Sequence, residues 1–171
     1  VTRAALLLLA SAVLAAWAGA QGPPPPLPAA TRVKLFKVNR SVIESLVSHG
    51  LEIAAKDDPQ DRAEECRKTA RTLVNYLARA AQDDCDADRV AELAGLLAEV
   101  VRDGLVPNWQ RARREIPPGS PREPELLRTR DAAAADLDAA RAAVPDATVA
   151  GHPRVRQALD RLAELKTAFA R

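Results

Sequence analysis

Apolar residues recur at every third or fourth position in five stretches of this chain, and proline or glycine closes almost every stretch. From Val33 to Ala55 the stripe is Leu35, Val38, Val42, Leu46 and Ile53, widened by Ile43, Val47 and Ala54. A period-two strand fits none of this, and the spacing predicts a helix. Lys56-Asp57-Asp58-Pro59 ends it and starts the next: Asp58 suits an N-cap, Pro59 the first helical position, and Asp61 the positive end of the helix dipole. The second stretch, to about Gln82, carries Cys66, Ala70, Leu73, Leu77 and Ala80. The third begins after Asp86 or Asp88 with Val90, Leu93, Leu97 and Val100, and Gly104 is expected to stop it.

Past Gly104, Leu105 to Ile116 reads as a short helix started by Pro107 and anchored by Trp109. Ile116-Pro117-Pro118-Gly119 breaks the pattern, and Ser120-Pro121-Arg122-Glu123 reads as a capping box with Pro124 in the same first turn. The fourth long helix, to about Val144, holds Leu126, Leu127 and Leu137 but is otherwise mostly alanine, which favours helix yet adds little core area. Pro145 to Gly151 reads as a loop, and His152-Pro153 starts a last stripe of Val155, Leu159, Leu162 and Phe169. The fold class expected is all-α. A bundle of about five helices follows an N-terminal signal peptide: residues 31–116 form an up-down-up three-helix unit plus the short helix, and residues 120–171 an antiparallel hairpin that docks or projects.

The first thirty residues read as an address. Val1-Thr2-Arg3 is a short basic start, Ala4 to Trp17 is apolar, and Ala18-Gly19-Ala20 offers small residues before Gln21. That is the three-part pattern of a secretory signal peptide over 1–20. As a retained anchor, residues 4–20 would sit at the lower limit for crossing roughly 30 Å of hydrocarbon, so a membrane association is expected only if the segment is kept. Residues 21–30 are proline-rich and read as a semi-rigid linker. Cleavage would leave four aromatics: Phe36, Tyr76, Trp109 and Phe169. The expected location is the periplasm or cell envelope.

The formal charge of +2 on 171 residues excludes a strong global field toward nucleic acid or membrane. Local chemistry is also sparse. Asp84, Asp86 and Asp88 match the first odd positions of a calcium-binding EF-hand loop, but Arg89 and Gly95 stand where that loop needs glycine and a bidentate glutamate. A solvated turn at the start of helix three is the reading kept. Cys66 and Cys85 invite a disulfide in an exported chain. The helix between them separates them by roughly 25 Å, far beyond a bridge, so Cys66 is expected to pack as a buried thiol and Cys85 to be more exposed. His49 suits the last turns of helix one, and His152 looks like a cap.

No G-x-S-x-G, S-x-x-K, H-E-x-x-H or glycine-rich phosphate loop occurs, so no catalytic residue, cofactor or metal ligand is assigned and an enzyme is not expected. The densest basic run, Arg111-Ala112-Arg113-Arg114, could grip an anionic surface such as a lipid headgroup or cell-wall polymer. Glu115, Glu123 and Glu125 nearby make local pairing the stronger expectation.

Three quoted segments taken together carry a resemblance: Ala54-Ala55-Lys56-Asp57-Asp58-Pro59 with Arg62-Ala63-Glu64-Glu65-Cys66, Arg89 to Gly95, and Asp103-Gly104-Leu105-Val106-Pro107-Asn108-Trp109. They are similar to uncharacterised exported helical proteins of high-GC, planctomycete-like bacteria, over about residues 50–114. The resemblance implies a shared helical unit and export, and it transfers no functional residue. The function expected is a non-catalytic binding or scaffold protein of the envelope. Its partner is expected to be a protein, self or another, and not nucleic acid. Its interaction face is expected at Leu126, Leu137, Val155, Leu159, Leu162 and Phe169. The alternative is an envelope metal- or stress-sensing protein with His49, Cys66, Cys85 and His152 as ligands.

Overall fold

A computed structural model describes residues 29–83 and 86–170. The signal segment, most of the linker, Asp84 and Cys85 lie outside the described residues. The protein is all-α, with no strand among the described residues. The helices are α1 (Ala29–Ala54), α2 (Pro59–Asp83), α3 (Ala87–Glu99), α4 (Val106–Glu115), α5 (Glu123–Ala143), α6 (Asp146–Gly151) and α7 (Pro153–Ala170). The chain divides into two units, Val1–Asn39 and Arg40–Arg171. Of the first, the described part is the opening of α1. The second holds everything discussed below.

The sequence punctuation explains most of the helix starts. Asp58 Oδ1 accepts from the amides of Gln60 at 2.8 Å and Asp61 at 3.4 Å, with Pro59 at the first helical position where no amide is needed. Asp86 caps α3 by accepting from the amides of Asp88 and Arg89, both at 3.1 Å, so the acidic turn does the work of a cap. At α5 the capping box is displaced. Ser120 Oγ accepts from the Arg122 amide at 3.3 Å, the Glu123 carboxylate accepts from the Gly119 amide at 2.6 Å, and the helix begins only at Glu123. Gly119 lies at φ +80, a left-handed turn that favours glycine. Residues 146–151, expected as a loop, form one and a half turns of helix.

Gly104 does not stop helix three. Val100–Leu105 is a π-helical segment that carries α3 without a break into α4, with right-handed helical dihedrals at Val100, Leu105 and Val106. The reason is across the interface. A Cβ on Gly104 would lie 2.9 Å from Cys66 Sγ, so glycine serves here for close helix approach and not for termination.

Four long helices close the core. α2 packs on α3 and α5, α3 on α7, and α5 on α7, which sets the order around the bundle as α2, α3, α7, α5. Contacts between α2 and α5 advance together along both helices: Asp58 with Arg122, Glu64 with Thr129, Arg71 with Asp136. These two helices therefore run parallel. Asp88 with Arg154 near the start of α3 and α7, and Trp109 with Phe169 near the end of α4 and α7, show the same direction for that pair. The helices expected as a C-terminal hairpin are thus docked, one on each of α2 and α3. Alanines at 63, 70, 94, 133 and 140, each 2% exposed or less, give the close approach, while Leu73, Leu77, Leu97 and Trp109 supply bulk.

Candidate functional site

The six residues expected to form an interaction face are all buried in the chain's own core: Leu126 3%, Leu137 4%, Val155 0%, Leu159 4%, Leu162 3% and Phe169 2% exposed. An alanine-rich helix needs bulky neighbours, and these side chains are consumed in meeting that need internally. The expected face is therefore corrected. Leu137, Leu159 and Leu162 still floor a cleft of about 340 Å³ between α5, α6 and α7. Lys166 and Asp138 also line it, with Lys166 Nζ donating to both Asp138 oxygens at 2.6 and 2.7 Å.

The apolar surface that does reach solvent lies on α1. Val42 is 4% exposed and Leu46 and Ile53 pack against the core, while Ser45 and Tyr76 share a 3.3 Å hydroxyl contact and His49 Nε2 lies 3.3 Å from Thr72 Oγ1. That inner side faces α2. On the outer side Ile43 is 39% exposed, Val47 58% and Leu51 69%. Steps of four residues on a helix with 3.6 per turn drift only about 40° each, so the three side chains form one sloping row. Ile43 and Val47 were expected to widen the buried stripe, and Leu51 belongs to no stripe. That mismatch is the signal by which the sequence could have marked the row as a separate face.

An ionic ladder joins α2 to α5. Asp136 is 4% exposed and accepts from Arg71 Nη1 at 2.6 Å and Arg67 Nη1 at 3.3 Å. Arg67 also donates to both oxygens of Glu64, at 2.9 and 2.6 Å, and the buried Thr129 hydroxyl donates to Glu64 at 3.1 Å. The bidentate Arg67 bond holds the Glu64 carboxyl below its ordinary range against the opposing effect of burial. Sequence reasoning missed Asp136, because an aspartate among alanines reads as a solvated helix face.

The alternative ligand set is dispersed. His49 contacts Thr72, Cys66 is a free buried thiol at the π segment, and His152 is exposed at the α6–α7 junction, where its carbonyl accepts from the Arg156 amide. Cys85 lies outside the described residues. Burial, and secondarily Glu65, push the Cys66 thiol up to about 11, which keeps it protonated and unreactive. Among the described residues, no three His, Cys, Asp or Glu side chains are grouped to hold a metal ion, and no helix is long and apolar enough to cross a membrane.

At the end of the bundle where α4 meets α7, Trp109 is 1% exposed. Its indole N–H donates to the Leu126 carbonyl at 3.4 Å, and its ring meets Phe169 edge-on at 5.9 Å and 74°. The Arg113 guanidinium lies 5.4 Å from the Trp109 ring centroid, within cation–π range. Arg111 pairs with Glu115 at 2.8 Å, whereas Glu123 is spent on the Gly119 amide. No known protein family, curated protein or solved structure matches this chain.

Proposed function

We propose that this protein is an exported, non-catalytic helical binding or scaffold protein of the periplasm or cell envelope, and that it engages a protein partner through the outer face of α1. One observation carries the reading: among the described residues, Ile43, Val47 and Leu51 form a solvent-facing row on a bundle where nearly every other large apolar side chain is buried or packed. Only Leu96 at 38% and Leu127 at 36% are comparable among the described residues, and each stands alone. Single exposed apolar residues are ordinary, whereas a contiguous row marks an interaction surface. The helix-in-groove mode reads such i, i+4 anchors directly.

The signal-like pattern of residues 1–20 supports export. The absence of any catalytic motif from the sequence supports a binding role. The test is a photo-crosslinking residue placed at Val47 in the full chain in its producing cells, with the same residue at exposed Ala135 on α5 as control. Discrete adducts at 47 and none at 135 are expected. Equal labelling at both positions, or none at 47, contradicts the reading.

A further inference from the structure

The outward row on α1 is symmetric about its middle residue. At about 100° of rotation per residue, Arg40, Ile43, Glu44, Gly50, Leu51 and Ala54 all fall within roughly 60° of Val47 around the helix. All seven are exposed. They also match in pairs: Glu44 and Gly50 lie three residues either side of Val47, Ile43 and Leu51 four, Arg40 and Ala54 seven. In two of those pairs a long side chain before Val47 answers a small residue after it. A second helix laid antiparallel, with a two-fold axis at Val47, therefore brings the bulky half of each copy onto the small half of the other. Ile43 then lies level with Leu51 of the second copy and beside its Gly50.

Gly50 supplies an independent indication. Glycine inside a helix is less favourable than alanine, and its own chain gives no reason for one here. A Cβ at Gly50 would meet nothing within 4 Å, and its backbone is helical. The space left open in front of it is where Ile43 of an antiparallel copy would pack.

Charge selects the direction. Parallel alignment sets Arg40 against Arg40 and Glu44 against Glu44, two like-charge encounters. Antiparallel alignment removes both and brings Arg40 within about 3 Å, measured along the axis, of Glu52 of the second copy, on the same flank of the pair. Symmetry makes that encounter twice. Arg40 holds Glu44 at 2.7 Å with both side chains exposed, so the ion pair can extend to Glu52 without a desolvated charge. From Arg40 to Ala54 the face is about 21 Å long. That is smaller than a standard interface of about 800 Å² per partner, so the association is expected to be weak, in the micromolar range.

We infer that the occupant of the α1 face is a second copy of this chain, docked antiparallel about a two-fold axis at Val47. The inference rests on the reading of α1 as the interaction surface and adds its partner and geometry.

The test uses the full chain recovered from its producing cells in a Cys85→Ser background, where the remaining Cys66 is buried. Single cysteines replace Ile43, Val47 or Leu51, and a short bismaleimide is added under native conditions. Val47→Cys alone is expected to give a covalent dimer. An equal mixture of Ile43→Cys and Leu51→Cys should give at least about fivefold more dimer than either alone, because identical positions four residues from the axis stand about 12 Å apart along it. Without crosslinker, Gly50→Gln should raise the concentration needed for dimerisation at least about tenfold by filling the space the second copy needs, with an unchanged melting temperature. Equal yields from Ile43→Cys alone and from the mixture would mean a parallel pair and overturn the inference. So would a Val47→Cys chain that forms no dimer while the photo-crosslinker at 47 captures a different protein, a result that leaves the α1 face standing as a binding surface. No capture at 47 by either reagent removes both readings.

Discussion

At Gly104 the absence of a side chain decides how two helices meet. The glycine Cα faces Cys66 Sγ across the α2 interface, and a methyl group there would stand 2.9 Å from sulfur. Gly104→Ala is expected to destabilise the fold by about 1–3 kcal/mol, the usual cost of overpacking. The double variant Cys66→Ala/Gly104→Ala should recover part of that loss, because the methyl then occupies the space of the deleted sulfur. Urea unfolding of the four proteins closes the cycle. The same cysteine gives a second outcome. With its thiol raised to about 11 by burial, Cys66 should resist iodoacetamide at pH 8 in the folded protein and react promptly in urea, read by mass mapping of its own peptide. Rapid native labelling would mean that the α2–π interface opens. The sequence announced the caps at Asp58 and Asp86 because capping is local chemistry. It misled at Gly104, since a glycine that ends a helix and one that admits a neighbour look alike until the neighbour is known.

At the scale of elements, the parallel pairing of α2 with α5 rests on alanine contact plus the Glu64–Arg67–Asp136–Arg71 ladder. Asp136→Ala is expected to cost about 2 kcal/mol. That is below the full penalty for breaking a buried pair, because Arg71 is half exposed and Arg67 keeps Glu64. Arg71→Gln should cost under about 1 kcal/mol for the same reason. Glu64 adds a pH dependence with a definite sign. Its carboxyl is depressed below 4.5 in the fold by the Arg67 bond, so its contribution is complete above that value and fades as pH falls through the folded one. Thermal melts of Glu64→Gln should therefore show a shallower loss of stability below pH 4.5 than the parent protein. An identical acid limb would mean that the ladder does not titrate with folding. The long helices and most of their boundaries were legible from apolar spacing and proline positions. The ladder was not, because Asp136 lies 65 residues from Arg71 and 69 from Arg67 and nothing local distinguishes these side chains from solvated charges. The hairpin leucines were recognised as a functional stripe, but whether a stripe serves the chain or a partner depends on what packs over it.

For the whole molecule, the parts divide by role. α2, α3 with α4, α5 and α7 satisfy one another's apolar surface, and α1 lies on them by its Val42–Leu46–Ile53 side and leaves Ile43, Val47 and Leu51 outward. Because Val47 is 58% and Leu51 69% exposed, Val47→Glu/Leu51→Glu should change stability by no more than about 1 kcal/mol, as two surface substitutions, yet remove whatever binds there. That separation of folding from association is the most direct test of the account. The measurement is the native mass of the assembly recovered from producing cells, with circular dichroism melts run alongside. The account predicts that the parent protein is recovered in a complex heavier than its own chain, while the double variant melts at the same temperature and is recovered alone. Equal masses for the two proteins, with the fold intact in both, would contradict it.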